Sequence, residues 1–212
     1  MKSNTNNIKP DPDQVKAFLG GRMGAVDAGY LSIFGAKKGH APQFQFPLVS
    51  EVGRATSYAV KLAGGGFDVY FNQAILKHKP AKGRGAAVDA GAMLGLWFDL
   101  DVSGPNHKEA ALPTREQAEA FLKEEIPFRA SQTIWSGGGF QLHWCFSVPY
   151  PVQDESDLEA FKSLSSRFQK TIIAKGKAHG WRFDNTSDPA RLLRIPGTYN
   201  FKRDPVMVEV IR

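Results

Sequence analysis

Asp99 and Asp101 stand two residues apart in a run, Leu94 to Val102 (LGLWFDLDV), in which apolar residues alternate with them. A period of two is that of a β-strand, so Leu96, Phe98, Leu100 and Val102 share one face and Trp97, Asp99 and Asp101 the other. Alternate residues of a strand stand about 6.5–7 Å apart along the backbone, close enough for both carboxylates to converge on divalent cations. Oxygen donors suit Mg²⁺ or Mn²⁺. Two such ions held roughly 4 Å apart activate a hydroxyl nucleophile and neutralise a leaving pyrophosphate. Taken alone, an Asp-x-Asp is also what the exposed end of an ordinary strand looks like.

A second constellation is Ser136-Gly137-Gly138-Gly139, followed by His143. Thr133–Ser136 and Phe140–Phe146 read as the strands of a hairpin around that turn. Its glycines let backbone N–H groups approach phosphate oxygens. On the returning strand Phe140, Leu142, Trp144 and Phe146 face the core, and Gln141, His143 and Cys145 face the other way. There His143 can donate to a phosphate. The third constellation is Asp184 and Asp188, then Arg191, Arg194, Thr198, Asn200 and Lys202. Guanidinium forks match phosphate oxygens and a lysine adds a point charge, so these cations beside an acid suit a phosphate next to a metal. A plain hairpin and a solvated basic loop are the blander counterparts of the two.

The elements that must position these groups are partly legible. A loose leader covers residues 1–13, and Pro12-Asp13 opens a short helix, Gln14–Leu19, halted by Gly20-Gly21. Gly64-Gly65-Gly66 is a turn, Phe67–Phe71 a strand and Lys77–Gly85 a basic, glycine-rich loop. Thr114-Arg115-Glu116-Gln117 is a capping box that opens a helix with Ala118, Phe121 and Leu122 inward, closed before Pro127. A longer helix spans Asp154–Lys177, with Leu158, Phe161, Leu164, Phe168 and Ile172 at helical spacing and Gly180 beyond its end. A Pro196-Gly197 turn leads to the strand-like VMVEVIR. The pattern predicts a single α+β domain, an antiparallel or mixed sheet with helices packed on it.

Composition narrows the function classes. The 212 residues carry 42% hydrophobic and 23% charged side chains, enough apolar material for a real core. Cys145 is the only cysteine, which excludes an internal disulfide and a cysteine-rich zinc site. The polar N-terminus and the lack of a long apolar stretch predict a soluble, cytoplasmic protein. Of the net charge of +6, the part from Phe161 to Arg212 holds 11 Lys or Arg against 4 acids. A basic C-terminal quarter on a near-neutral body predicts a polyanionic partner, nucleic acid or nucleotide phosphate.

The order and spacing of WFDLDV, WSGGGFQLHWCF and DNTSDPARLLRIPGTYNFK resemble the archaeo-eukaryotic primase superfamily, specifically its bifunctional primase-polymerase branch of phages, plasmids and some CRISPR-associated loci. The resemblance covers roughly Val69 to Lys202. It implies an RNA-recognition-like sheet carrying the acids, packed with a smaller α/β lobe. It further implies DNA primase or DNA polymerase activity with two Mg²⁺ or Mn²⁺ ions on Asp99, Asp101 and Asp184, Asp188 being the alternative third ligand. Ser136, Gly137, Gly138, His143, Arg191, Arg194 and Lys202 would bind the nucleotide. The family's Ser-x-His appears here in the longer form Ser-Gly-Gly-Gly-Phe-Gln-Leu-His. The implied partners are a single-stranded DNA template with its primer, nucleoside triphosphates, and a helicase or helical accessory region from which this domain has been excised. The setting is a prokaryotic cytoplasm, with a phage or plasmid origin. Tyr70 reads either as ordinary strand packing or as a gate against a ribose 2′-hydroxyl. Rival readings of the same acids are a metal-dependent nuclease, a noncatalytic nucleic-acid-binding module and a nucleotide-sugar glycosyltransferase.

Overall fold

The strand that carries the acids is longer than its motif, beginning four residues before Leu94 at Ala90. It is the fourth of ten strands among the described residues: β1 (Tyr30–Ala36), β2 (Gln43–Gln45), β3 (Asp68–Leu76), β4 (Ala90–Asp101), β5 (Gln132–Trp135), β6 (Gly139–Pro151), β7 (Leu192–Arg194), β8 (Tyr199–Asn200), β9 (Val206–Met207) and β10 (Glu209–Val210). The helices are α1 (Pro12–Met23), α2 (Val52–Gly64), α3 (Arg115–Glu124) and α4 (Glu155–Ala178). The computed structural model describes residues 8–104 and 111–212, so most of the expected leader lies outside the described residues.

Eight strands form one sheet in the order β10-β5-β6-β4-β3-β1-β2, with β7 against β3, and every pairing is antiparallel. β8 and β9 make a separate short ladder. The expected α+β class and antiparallel sheet are those observed.

What opens this sheet is a parting of β3 and β4. Ala74–Leu76 of β3 pair with Ala90–Met93 of β4, but Tyr70–Asn72 pair instead with Leu192–Arg194 of β7. Beyond a register shift at Met93/Gly95, β4 continues against β6 alone, from Gly95↔Cys145 to Asp101↔Gly139. Glycine is required along this seam, since a Cβ on Gly95 would sit 2.2 Å from the Trp144 carbonyl oxygen and one on Gly139 2.2 Å from that of Leu100. The acids therefore lie on the free run of β4, and β7 brings the basic segment across from them.

Two helices differ from expectation in instructive ways. α1, capped by Asp11, runs through Gly20-Gly21 to Met23 rather than stopping at Leu19. Two helical glycines cost about 1 kcal/mol each, and burial of Met23 with the stacking of Arg22 on Phe18 and Phe71 offsets that cost. α4 has the expected extent, capped by Asp154, but its buried stripe is Leu158, Phe161, Ser165, Gln169, Ile172 and Gly176. Leu164 and Phe168 are half-buried beside it. Ser165 and Gln169 face inward because each has backbone to bind: Ser165 donates to the Ser187 carbonyl, and Gln169 donates to that of Trp97 and accepts from the Thr186 N–H.

Two apolar clusters share this sheet. The larger gathers α1, α2, β1 and β3 with Trp97, and the smaller sets α3, Ile172 of α4 and Phe183 against Phe98, Leu100, Phe140 and Leu142. Trp97, fully buried, donates from Nε1 to the Thr186 carbonyl at 2.7 Å. Together with Gln169 it fastens β4, two residues from Asp99, to the chain that leads into β7. No described helix is long and apolar enough to cross a membrane.

Candidate active site

The parting of β3 and β4 leaves a pocket of about 420 Å³. β3 contributes Tyr70, β4 contributes Asp99 and Asp101, the β5–β6 turn contributes Ser136 and Gly138, and β6 contributes Gln141. The opposite wall is basic, with Arg191, Arg194 and Lys202 beside Leu192 and Asn200. Of ten side chains or glycines named from the sequence motifs, seven line this one pocket: Asp99, Asp101, Ser136, Gly138, Arg191, Arg194 and Lys202.

Local structure fixes each of them. In the turn, Gly137 adopts φ +83°, a left-handed conformation that glycine takes at no steric cost, and a Cβ there would strike Val206. The Ser136 hydroxyl donates to the Gly139 carbonyl at 2.9 Å, which closes the turn. Asn200 donates to the Ser136 carbonyl at 2.7 Å and accepts from the Lys202 N–H, tying the third motif to the second. Gly138 has open space where a side chain would be.

The two arginines are each paired with an acid, while Lys202 is exposed. Arg191 donates from Nη2 to Asp99 Oδ2 at 2.9 Å. Arg194, 4% exposed, donates from Nη1 to Asp68, lies 4.8 Å over the Tyr70 ring, and has its backbone N–H bound by the Gln141 side chain. Asp68 also accepts from the Phe201 N–H at 2.8 Å. Arg194 Nη2 and Arg191 Nε are buried donors with no partner within the protein, an arrangement that an anion in the pocket would complete. Burial raises the Tyr70 phenol above its ordinary value, with Arg194 opposing.

Three of the ten motif residues lie elsewhere. Gly137 shapes the turn from behind. His143, expected on an open face, is 1% exposed because α1 covers that face, with the Phe18 and Phe71 rings about 6 Å away. Both its ring nitrogens lack a partner, and burial, with Arg22 adding, pushes the imidazole well below its ordinary value. Asp184 is exposed and outside the pocket. Asp188 is also exposed and caps its own turn, accepting from the Ala190 N–H at 3.0 Å.

Among the described residues no group of three or more His, Cys, Asp or Glu is arranged to hold a metal. The donor set at the pocket is two same-face carboxylates. That fits a hard cation such as Mg²⁺, which takes one or two carboxylates and completes its shell with water and substrate phosphates.

Asp68 and Gln141 were not evident from the motifs. Gln141 carried a usable signal, since it shares the strand face of the acids through its pairing with Asp99. Asp68 carried none beyond being an acid at the start of a strand.

No protein-family model matches the sequence, and no curated protein matches it. Solved structures do. The primase-polymerase domain of cyanophage S-2L (an AEP, archaeo-eukaryotic primase, domain) superposes with a TM-score of 0.61 at 16% identity, over 97% of this chain and 91% of that one. The chain has the primase-polymerase fold. Primase RepB′ shows the same fold at a TM-score of 0.53 and 12% identity, covering 93% of this chain and 56% of that one. The RepB′ catalytic domain in complex with initiator DNA matches at 0.52 and 13%, over 94% and 85%. The primase-polymerase fold extends over almost the whole chain, well beyond the three motifs.

Proposed function

We propose that this chain catalyses template-directed nucleotidyl transfer on DNA, as a primase, a polymerase or both. The observation that carries the reading is the convergence of acids, glycine turn and cations on one pocket in a primase-polymerase fold. The fold alone would not suffice, since folds host many chemistries.

Asp99 and Asp101 would hold a divalent cation, which supplies charge neutralisation at the phosphates and a more acidic attacking hydroxyl. The chain's own groups do the rest. Arg191, Arg194 and Lys202 bind the triphosphate oxygens, Arg194 through the nitrogen that Asp68 leaves unused. Gly138 lets phosphate approach the turn backbone, where any side chain would intervene. Tyr70, packed under the Arg194 guanidinium, offers its ring edge to the sugar. His143 supports β6 from behind and touches no nucleotide. Neither Asp184 nor Asp188 is required for this donor set. The partners are nucleoside triphosphates and a single-stranded DNA template with its primer, in keeping with the RepB′ neighbour bound to initiator DNA.

Calorimetric titration with a non-hydrolysable deoxynucleoside triphosphate tests the site. Binding is expected to need Mn²⁺ or Mg²⁺, and to be lost in Arg194→Ala and in Asp99→Ala/Asp101→Ala. Equal binding by all three proteins would refute the assignment.

A further inference from the structure

A second pocket, of about 330 Å³, lies between α3, the segment after it, β6 and the last two residues. Its β6 side chains, Phe140, Leu142 and Trp144, alternate with Gln141, so it opens on the sheet face opposite the acids. The floor is apolar. At the mouth Phe128 is 47% and Ile211 43% exposed, large hydrophobic side chains that a closed core would have covered. The rim is cationic, with Lys123, Arg129 and Arg212 against a single acid, Glu119. An apolar depression with a charged rim marks an interaction site more often than a packing fault.

We propose that this pocket docks an acidic peptide segment of a partner protein, one bulky apolar side chain entering the floor while flanking carboxylates meet Lys123, Arg129 and Arg212. The charge pattern selects such a partner, since arginine forks pair with carboxylates in two-bond geometry. A nucleic-acid strand fits less well. Strand-binding surfaces offer free aromatic faces to successive bases, whereas Trp144 here meets Phe168 edge-on at 4.8 Å and Phe128 at 6.0 Å. Phe140 is fully buried and meets Trp135 edge-on at 5.1 Å, and Leu122, Ile126 and Ile211 are aliphatic.

The site is independent of the proposed activity and is tested apart from it. The probe is a set of fluorescein-labelled nonapeptides, each with one Phe, Trp or Leu among Asp and Glu, followed by fluorescence anisotropy on the full chain. At least one peptide is expected to bind saturably and more weakly at high salt. Arg129→Glu and Ile211→Asp, both at exposed positions, are each expected to weaken it by about tenfold or more, with triphosphate binding unchanged. Failure of every peptide to bind better than its apolar-to-Ser counterpart would overturn the proposal. So would equal binding by the variants. Oligo(dT) binding that is lost with Ile211→Asp would instead make the pocket a nucleic-acid site.

Discussion

Arg191 Nη2 lies 2.9 Å from Asp99 Oδ2, so a protein cation rests on one of the two carboxylates expected to hold a metal. The pair is partly solvated, with Arg191 38% and Asp99 18% exposed, and such pairs contribute at most about 1 kcal/mol. If Asp99 and Asp101 held a cation, this weak pair would compete little with it, and the Arg191 guanidinium would be free to meet phosphate. Arg191→Ala is expected to bind Mn²⁺ up to about fivefold more tightly in the absence of nucleotide, and triphosphate more weakly. Calorimetry of both ligands checks this, and weaker Mn²⁺ binding would contradict it.

The Asp68–Arg194 pair is of a different kind, with side chains 15% and 5% exposed. Removing one partner of a buried pair leaves an uncompensated charge, so Asp68→Ala is expected to lose about 3 kcal/mol of stability. Asp68→Leu/Arg194→Met, which removes both charges, should lose less than the sum of its single variants. Urea denaturation of the four proteins measures that coupling. Additive losses would mean that Asp68 does not hold Arg194.

His143 gives the fold an acid sensitivity with a definite sign. Its folded imidazole ionises well below the ordinary 6.5, so below that pH the unfolded chain binds a proton that the native chain refuses. Stability is then full above about pH 6.5 and falls as pH drops toward the folded value. Arg22, the charged neighbour from α1, opposes protonation in the same sense. His143→Phe is expected to flatten the stability profile between about pH 6.5 and 5. An unchanged slope in the variant would remove His143 as the cause.

Two adjacent glycines should behave oppositely. A Cβ at Gly139 would overlap the Leu100 carbonyl, whereas one at Gly138 meets nothing within 4 Å. Gly139→Ala is expected to break the β4–β6 ladder and lower the melting temperature sharply. Gly138→Ala should fold as the parent does but raise KM for triphosphate, because the new methyl enters the pocket. Melting curves and steady-state kinetics separate the two.

The sequence was most informative where a single strand or helix settles the matter. The alternation in LGLWFDLDV placed Asp99 and Asp101 on one face, and Thr114 and Asp154 announced their helices. Relationships that need two distant segments were hidden. Asp68 reaches Arg194 because β3 abandons β4 for β7, and no local pattern encodes that exchange. His143 was read as open because β6 alternates, but alternation cannot say that α1 covers the second face. β1, β2 and α2 went unread. β2 is only three residues long, and α2 starts after Glu51 without a side-chain cap to mark its beginning.

Primer extension on a single-stranded DNA template, with labelled deoxynucleoside triphosphates and Mg²⁺ or Mn²⁺, tests the central claim most directly. The parent chain is expected to add template-directed nucleotides, and Asp99→Ala/Asp101→Ala to add none while melting at the parent temperature. Extension that survives the double substitution would contradict the account, as would cation-dependent degradation of the template without triphosphates.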